Sequence, residues 1–240
     1  MISIIIPTLN EISVLEKTLT RLRLCVEHKL EIIVSDGGSK DGTIEIAKKY
    51  ADVVLVHDGS YRQTIAMGRN DGARRAKGDF LLFIDADVLI PNPDLFFDEM
   101  LAIFQNHAVS AATVQIKVLP EYRTISDQVI FFLLACSLFI QNNFLGFGGA
   151  AGEFQMVRRS VFEKLGGYRQ DLAAGEDYEF FHRVSKKSGK TYYNWGLSIF
   201  HTGRRAHKVG WPKLLSEWWL NGFSIIFFNR SWSTVWKEIR

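Results

Sequence analysis

The chain has 240 residues, which is long enough to bury one sizeable hydrophobic core. Hydrophobic residues make up 47% and charged residues 23%, as in an ordinary globular protein, and the net charge is only +3. Such a small charge argues against a nucleic-acid-binding protein that neutralises many phosphates. Cys25 and Cys136 have neither metal-ligand spacing nor a disulfide framework, so we expect two reduced thiols in a reducing, cytoplasmic setting.

The first half of the chain alternates short apolar runs with helical patterns. This rhythm predicts parallel βαβ units with right-handed crossovers, and the almost wholly apolar strands indicate a sheet that is covered on both faces. The predicted strands are residues 3–7, 31–35, 53–57 and 79–84, and the predicted helices are residues 11–26, 42–50, 62–76 and 93–104.

The second half is less regular, and it contains no linker, repeat or low-complexity segment. We therefore expect a single domain over residues 1–240. No signal peptide is evident, and the most apolar stretch, residues 129–140, is shorter than the roughly 20 residues of a spanning helix. The predicted elements are strands 108–118 and 153–158, a helix over 126–144, and a helix from 175 to about 187.

Three polar segments directly follow predicted strands, namely residues 7–11, 36–39 and 85–87. Ligands of such sheets bind beyond the carboxyl ends of the strands, so these segments should meet in space. Asp85 and Asp87 at a strand end have the chemistry to hold Mg²⁺ or Mn²⁺, together with water and phosphate oxygens. An exposed acidic turn is the alternative interpretation of this D-x-D pattern.

Two further segments of the first half are candidates for ligand contact. Asp36 precedes two glycines and can accept hydrogen bonds from a base or a ribose, whereas Asp41 is expected only to cap the helix that follows. Arg69 is expected either to grip a nucleotide phosphate or to pair with an acidic loop.

The second half adds three candidate features. Glu176 and Asp177 open a helix, where the dipole stabilises carboxylates; they serve either helix stability alone or general-base catalysis. Residues 146–151 match G-x-G-x-x-G/A, but they follow a helix and precede a strand, so we predict a close-approach loop beside the substrate rather than a dinucleotide site. His201 ends a strand-like run and is either a structural histidine or a ligand of metal or diphosphate.

The ordered set of motifs resembles the family 2 glycosyltransferases of the GT-A fold. Each motif alone is modest, but their order along residues 1–190 is specific. The matching segments are IIIPTLNE (4–11), EIIVSDGGSKDGT (31–43), GRNDGA (68–73), AKGDFLLFIDAD (76–87), GGY (166–168) and GED (175–177) with Arg183.

The resemblance implies an α/β fold with a mostly parallel central sheet flanked by helices. It implies a nucleotide-sugar-binding half at about residues 1–107, an acceptor-binding and catalytic half at about 108–203, and a C-terminal aromatic helical segment at about 204–240. The implied enzyme is an inverting transferase that uses a nucleoside diphosphate sugar, UDP being the first choice, and Mn²⁺ or Mg²⁺. The implied roles are donor binding by Pro7, Thr8, Glu11, Asp36, Arg69, Asp85 and Ala86, metal binding by Asp85, Asp87 and His201, acceptor contact by Gly149 and Glu176, and base catalysis by Asp177.

The departures from the family pattern narrow the expectation. No Q-x-x-R-W follows the Glu-Asp pair, which favours single addition over processive synthesis. The sequence does not identify the acceptor, which is a glycan, a lipid-linked molecule or a small molecule. The expected role is in cell-surface glycan or glycolipid synthesis. Basic residues followed by aromatic ones after residue 203 favour either contact with the inner face of the cell membrane or packing in the fold or a dimer.

Two rival functions remain at the level of the sequence. A nucleotidyltransferase that makes sugar nucleotides would carry a glycine-rich loop with Arg and Lys after the first strand, and residues 8–11 (TLNE) stand there instead. A non-catalytic protein that has kept the fold would have less reason to retain the acidic residues at positions 36, 85, 87 and 177.

Overall fold

The computed structural model describes residues 1–234, and these form one seven-stranded sheet with helices on both faces. The strand order is β3-β2-β1-β4-β6-β5-β7, where β6 runs antiparallel to both neighbours and every other pairing is parallel. The mostly parallel sheet that the sequence predicts is therefore confirmed. The strands are β1 (Ile2–Thr8), β2 (Leu30–Asp36), β3 (Val53–Val56), β4 (Phe80–Ile84), β5 (Val109–Val118), β6 (Phe154–Arg158) and β7 (Lys190–His201).

Nine helices connect or follow these strands within the described residues. Their bounds agree closely with the predicted periodicities in the first half of the chain. The helices are α1 (Ile12–Leu22), α2 (Thr43–Tyr50), α3 (Ile65–Arg75), α4 (Pro93–Gln105), α5 (Ile125–Asn143), α6 (Arg159–Leu165), α7 (Glu176–Lys187), α8 (Arg204–Val209) and α9 (Trp211–Phe228).

The core lies on both faces of the sheet because successive strand residues point to opposite sides. In β1, Ile4 and Ile6 join the cluster that contains Leu15 and Leu19 of α1, whereas Ile5 faces the opposite cluster with Phe180 of α7. The unbroken apolar runs thus reflect a sheet covered on both sides. Each fully buried isoleucine stabilises the fold by roughly 1.5–3 kcal/mol.

Helix α3 packs unusually close to β1 because its contact face carries glycines. A Cβ added at Gly72 would lie 2.4 Å from Cγ2 of Ile5, and one at Gly68 would lie 3.3 Å from Cβ of Pro7. Thr64 caps the helix by accepting a hydrogen bond from the backbone N–H of Met67, which is why α3 begins at residue 65 rather than at the predicted 62. The close approach brings α3 to the carboxyl edge of the sheet.

The C-terminal segment is tied to α5 by a buried carboxylate. Asp127 accepts hydrogen bonds from Nε2 of His207 (2.8 Å), Nε1 of Trp211 (2.9 Å) and, as part of a capping box, the backbone N–H of Thr124 (2.8 Å). Helix α9 buries Leu214 and Ile225 and leaves much of its aromatic surface exposed. Packing in the fold, one of the two predicted interpretations of this segment, is therefore confirmed for one face of α9; residues 235–240 of the segment lie outside the described residues.

Helix α5 is the one helix among residues 1–234 that is long and apolar enough to cross a membrane, judged by length and composition. It packs against β7 and β5, and its buried side includes Phe131, Ala135 and Leu138. The opposite side exposes a stripe of apolar residues, which are Ile125, Val129, Phe132, Leu133, Ile140 and Phe144.

Candidate active site

A cavity of about 1080 Å³ lies at the carboxyl ends of the parallel strands. The loops that follow β1 and β4 supply one wall, and the start of antiparallel β6 and of α7 supply the other. Because β6 runs against β4, its first residue, Phe154, pairs with Ile84, so the loop before β6 meets the loop after β4. The topology thus brings residues 85–87, 152–153 and 176–177 around one space, at the edge where such sheets bind ligands.

The buried guanidinium of Arg69 pairs with two of the carboxylates that line this cavity. Nη1 of Arg69 lies 3.0 Å from Oε1 of Glu176, and Nη2 lies 3.3 Å from Oδ1 of Asp85 and 2.9 Å from the carbonyl oxygen of Gly152. The side chain of Arg69 is 2% exposed. Of the two roles that the sequence leaves open for Arg69, the structure shows the pairing with an acidic loop; a phosphate contact stays a prediction. The carboxylates that line the cavity are those of Glu11, Asp85, Asp87, Glu153, Glu176 and Asp177.

The carboxylates of the cavity outnumber its guanidinium groups, which belong to Arg62, Arg69, Arg204 and Arg205. Burial raises the pKa of Glu153, and the charges of Asp85 and Asp177 raise it further. Burial and the charge of Asp177 also raise the pKa of Glu176, although Arg69 opposes the shift. The cavity therefore favours the entry of a cation, which would lower these pKa values by offsetting the mutual repulsion of the carboxylates.

Asp177 is held in place by the backbone around it. It lies in the first turn of α7, where its Oδ1 accepts a hydrogen bond from the backbone N–H of Tyr178 at 2.7 Å. Its own carbonyl oxygen accepts a hydrogen bond from Nε2 of Gln155 at 3.0 Å. Oδ2 faces Gly152, where a Cβ would lie only 3.0 Å away. Burial raises the pKa of Asp177 above its ordinary range, while Arg69 opposes the shift, so this carboxylate is a stronger base than an exposed aspartate.

Asp87 and His201 meet at the opposite side of the cavity. Asp87 accepts hydrogen bonds from the hydroxyl and the backbone N–H of Thr202, and its Oδ2 lies 3.8 Å from Nε of Arg204. His201 ends β7 and is 8% exposed, and its Nε2 has no hydrogen-bond partner within the described residues. Burial lowers the pKa of His201, so the imidazole is neutral at pH 7 and has a lone pair for a metal ion.

The donor set on this side fits a divalent cation that keeps part of its shell for other ligands. Two carboxylates, Asp85 and Asp87, and the imidazole of His201 line the cavity. No group of three or more His, Cys, Asp and Glu side chains is arranged as a ready ligand cage in residues 1–234. Mg²⁺ and Mn²⁺ suit such a site, because they take few protein ligands and complete their shell with water and phosphate oxygens.

Pro7, Thr8, Glu11 and Ala86 all line the cavity, as predicted for donor-binding residues. The carboxylate of Glu11 accepts a bidentate pair from Arg204, with Nη1 at 2.6 Å from Oε2 and Nη2 at 2.8 Å from Oε1. Glu11 is therefore linked to the segment after β7 through this arginine. Its contact with a nucleoside stays a prediction.

Asp36 and Gly149 do not line the cavity themselves, and their contacts with donor and acceptor stay predictions. Asp36 is fully buried outside the cavity wall, where its carboxylate accepts hydrogen bonds from Thr8 Oγ1 (2.9 Å), the backbone N–H of Gly38 (2.9 Å), and both the backbone N–H (2.7 Å) and Oγ (2.6 Å) of Ser39. Its role here is to shape the loop after β2. Gly149 packs against α5, where a Cβ would lie 2.9 Å from Oε1 of Gln141, so it supports the cavity wall from behind.

The cavity also contains residues that the sequence analysis missed. Glu153 follows Gly152 in the glycine cluster, and no motif marks it as part of an acidic site. Arg204 and Arg205 were assigned only to a basic surface, whereas both line the cavity. The spacing of three residues between His201 and Arg204 is the one signal that could have placed Arg204 at the site.

The chain resembles known glycosyltransferases in sequence and in fold. It is 29% identical over 204 residues to the succinoglycan biosynthesis protein ExoA of Rhizobium meliloti (strain 1021), an alignment that covers 76% of this chain and 57% of that protein. The chain therefore spans little more than half the length of this relative.

Two solved structures share the fold at low sequence identity. A mannosyltransferase of Pyrobaculum calidifontis in complex with GDP-Man and Mn²⁺ superposes with a TM-score of 0.74 at 19% identity, covering 95% of this chain and 64% of that one. Glucosyl-3-phosphoglycerate synthase of Mycobacterium tuberculosis, in complex with Mn²⁺, UDP-glucose and phosphoglyceric acid, gives a TM-score of 0.62 at 18% identity and covers 88% and 74%. The expected GT-A type of fold is thus confirmed.

The family match covers most of the chain. Residues 3–166 match the model of the family described as glycosyl transferase family 2, which is well over half of the chain. The chain belongs to glycosyl transferase family 2, a family of transferases.

Proposed function

We propose that this protein is an inverting glycosyltransferase that moves a sugar from a nucleoside diphosphate sugar, UDP-linked in the first instance, to an acceptor hydroxyl. One observation carries the proposal: the Asp85–Asp87 loop after β4 and the carboxylate of Asp177 at the start of α7 face the same cavity. The first can hold the leaving diphosphate through a cation, and the second can take the proton of an acceptor.

The donor lies, in this proposal, along the carboxyl edge of β1 and β4. Pro7 and Thr8 offer an apolar edge and a hydroxyl to the nucleoside, and Ala86 leaves room for the diphosphate between two acidic side chains. The two solved structures of similar fold support a nucleotide-sugar donor, because one is a complex with GDP-Man and the other a complex with UDP-glucose, both with Mn²⁺.

Asp85, Asp87 and His201 would hold Mn²⁺ or Mg²⁺, which supplies positive charge to the departing diphosphate. The buried, unpartnered Nε2 of His201 and the surplus of carboxylates support this assignment. Arg69 holds Glu176 and Asp85 in position from behind, at 3.0 Å and 3.3 Å, so the acidic cluster keeps its shape when its charge changes.

Asp177 would act as the general base. As its carboxylate accepts the proton of an acceptor hydroxyl, the hydroxyl oxygen bonds to the anomeric carbon and the bond from that carbon to the diphosphate oxygen breaks. Such direct displacement inverts the anomeric centre and needs no covalent enzyme intermediate. Orientation of the two substrates and stabilisation of charge supply most of the acceleration. Glu176, beside Asp177 and in contact with Arg69, would position the base or the acceptor.

The cellular setting belongs to the same proposal. The enzyme would work in the cytoplasm, at the inner face of the cell membrane, in the synthesis of a cell-surface glycan or glycolipid. The relative named for succinoglycan biosynthesis supports a role in polysaccharide assembly. The exposed aromatic surface of α9 supports contact with a membrane.

The test is a thermal-shift panel with UDP, GDP, dTDP and CDP, each with and without Mn²⁺, followed by assays of donor turnover. A nucleotide at 100 times its dissociation constant should add about 2.7 kcal/mol of stability. Asp87→Ala should lose the part of the shift that depends on Mn²⁺, whereas Asp177→Asn should keep the shift and lose turnover. A well-folded protein that binds none of the four nucleotides would refute the proposal, and binding without turnover would favour a non-catalytic protein.

A further inference from the structure

The cavity extends well beyond the acidic site, into a region that we call the apolar arm. Its walls come from α5 and α9, through Phe131, Leu134 and Leu138 on one side and Leu214, Trp218 and Phe223 on the other. The whole cavity of about 1080 Å³ exceeds the roughly 300–1,000 Å³ of a typical pocket for one small ligand. The cavity thus has room for a donor and for a second molecule along the arm.

The two side-chain amides of the arm, those of Asn221 and Gln141, are already bonded to protein groups. Nδ2 of Asn221 donates to the carbonyl of Glu217 and to Oγ of Ser233, both at 2.8 Å, and its Oδ1 accepts from the backbone N–H of Ser233. Gln141 accepts from the hydroxyl of Tyr178 at 3.1 Å and donates to Oγ of Ser137 at 2.9 Å. Few groups remain to bond sugar hydroxyls, and burying a hydroxyl without a partner is costly. The arm therefore suits hydrocarbon better than carbohydrate.

The arm opens onto an apolar surface. Trp219 and Phe227 line the cavity and are also 67% and 66% exposed, so they stand at its mouth. Phe228 and Trp232 extend the surface outward, and α5 presents its apolar stripe on the outside of the other wall. A hydrocarbon chain can pass from outside the protein into the arm along apolar side chains.

A cation stands where the arm meets the acidic site. Arg205 lines the cavity, and the charges of Glu217 on α9 and Glu153 at the site both act on its guanidinium. Arg204, which bridges to Glu11, lies beside it. A phosphate at the inner end of a hydrocarbon chain would meet these guanidinium groups, which suit phosphate oxygens well.

We propose that the apolar arm binds the acceptor, and that the acceptor is an anionic amphiphile with a phosphorylated head on a hydrocarbon chain. The chain lies between α5 and α9, the phosphate lies near Arg205, and the head reaches Asp177. This inference rests on the proposed transferase function and narrows its acceptor from the open set to one chemical class.

The test measures binding of inorganic phosphate and of butyl, octyl and dodecyl phosphate, free in solution below micelle formation, by calorimetry and tryptophan fluorescence. Each methylene that fully leaves water should tighten binding about four-fold, so dodecyl phosphate should bind at least about ten-fold tighter than octyl phosphate. Equal affinity along the series would overturn the proposal. This comparison uses the unaltered protein and does not depend on the folding of a variant.

A matched pair of variants tests whether the hydrocarbon chain of the ligand lies in the apolar arm. Gly222 lines the arm, has no atom within 4 Å of an added Cβ, and lacks a left-handed backbone, so Gly222→Leu should fill the arm without disturbing the fold. Ser216→Leu adds the same side chain to an exposed position on the same helix, outside the cavity. Gly222→Leu should weaken dodecyl phosphate binding at least about ten-fold, and Ser216→Leu should not. Unchanged binding by Gly222→Leu would overturn the proposal.

Other occupants of the arm give different results. If the protein binds phospholipid vesicles but no free alkyl phosphate, α9 docks on a membrane surface and the arm holds no chain. If no alkyl phosphate binds and the molar mass in solution is doubled, a second copy covers the arm. Either result overturns the inference while leaving Mn²⁺-dependent nucleotide binding, and hence the proposed transferase function, intact.

Discussion

Gly152→Ala should damage the proposed chemistry without damaging the fold. The new Cβ would lie 2.9 Å from Nη2 of Arg69 and 3.0 Å from Oδ2 of Asp177. Ordinary contacts begin at about 3.4 Å, so the base would have to shift by about 0.4 Å. Neither group can yield easily, because Oδ1 of Asp177 is bonded to the backbone N–H of Tyr178 and Arg69 is paired on three sides.

The magnitude follows from the sensitivity of catalysis to position. A misplacement of 1 Å costs about a hundred-fold in rate, so a shift of about 0.4 Å should cost about six-fold, which corresponds to about 1 kcal/mol in the barrier. The assay is the steady-state turnover of the donor that the nucleotide panel identifies, with the melting temperature measured in parallel. The structure predicts a loss in kcat with little change in the affinity for nucleotide and Mn²⁺.

Ser216→Ala is the control, because Ser216 lies at an exposed position of α9 outside the cavity. It should keep the turnover of the unaltered protein. If Gly152→Ala folds normally and turns over at the original rate, the position of Asp177 does not limit the reaction, and the assignment of the base is wrong.

Three further predictions concern pH, stability and metal binding. Because burial raises the pKa of Asp177 and only its ionised form can accept a proton, kcat/KM should fall with decreasing pH at a midpoint above the ordinary value of about 3.9; a midpoint at or below that value would contradict the assignment. Asp127→Ala leaves three hydrogen-bond donors without their acceptor. The substitution should lower the free energy of unfolding by about 3 kcal/mol at pH 7, or Tm by roughly 6–12 °C. Burial alone would raise the pKa of Asp127, but these hydrogen bonds outweigh burial and lower the pKa. The stabilisation by Asp127 is therefore complete above the unfolded pKa of about 3.9 and is lost as the pH falls through the lower pKa of the folded state. An Asp127→Ala variant that is as stable as the original at pH 7 would contradict the role of this carboxylate. His201→Ala should raise the Mn²⁺ concentration that half-saturates the nucleotide-dependent shift by about ten-fold or more, and an unchanged concentration would remove His201 from the ligand set.

The first half of the fold follows from the sequence because its signals are local. Apolar runs of four to seven residues, each followed by a helical pattern, leave few alternatives to parallel βαβ units. The start of α3 was predicted three residues too early because Thr64 was not recognised as its cap. The position of Asp85 and Asp87 at the carboxyl edge of the sheet follows from the same rules of topology, whereas the role expected of Asp177 comes from the family resemblance.

The second half is harder to predict because its signals depend on partners far along the chain. Only the end of β7 was recognised as strand-like, since its earlier part mixes Asn194 and Gly196 with aromatic residues. The structure shows why: the pairing with β5 jumps from Asn194 to Ser198 across an irregularity. Helix α6 was missed because seven residues give too little periodicity.

Asp36 and Gly149 lie outside the cavity wall for reasons that local motifs do not show. The carboxylate of Asp36 could accept hydrogen bonds from a ligand, but it already accepts them from backbone N–H groups of its own loop. Gly149 sits in a glycine cluster that reads as a substrate loop, yet the space it opens is taken by Gln141 of α5. Short-range competition for hydrogen bonds and close packing are not visible in a motif.

The reversal of β6 within an otherwise parallel sheet constrains how the enzyme can move. Strands β4, β6 and β5 form one continuous hydrogen-bonded sheet. The first and second halves of the chain are therefore joined by backbone hydrogen bonds and have no hinge between them. Donor and acceptor therefore cannot be admitted by the swinging apart of two lobes. The segment after β7 is held at the cavity by the bridge from Arg204 to Glu11 and by the hydrogen bonds to Asp127, so its movement would open the cavity without disrupting the sheet. The enzyme therefore combines a rigid sheet, which carries the site, with one segment that side-chain contacts hold against it.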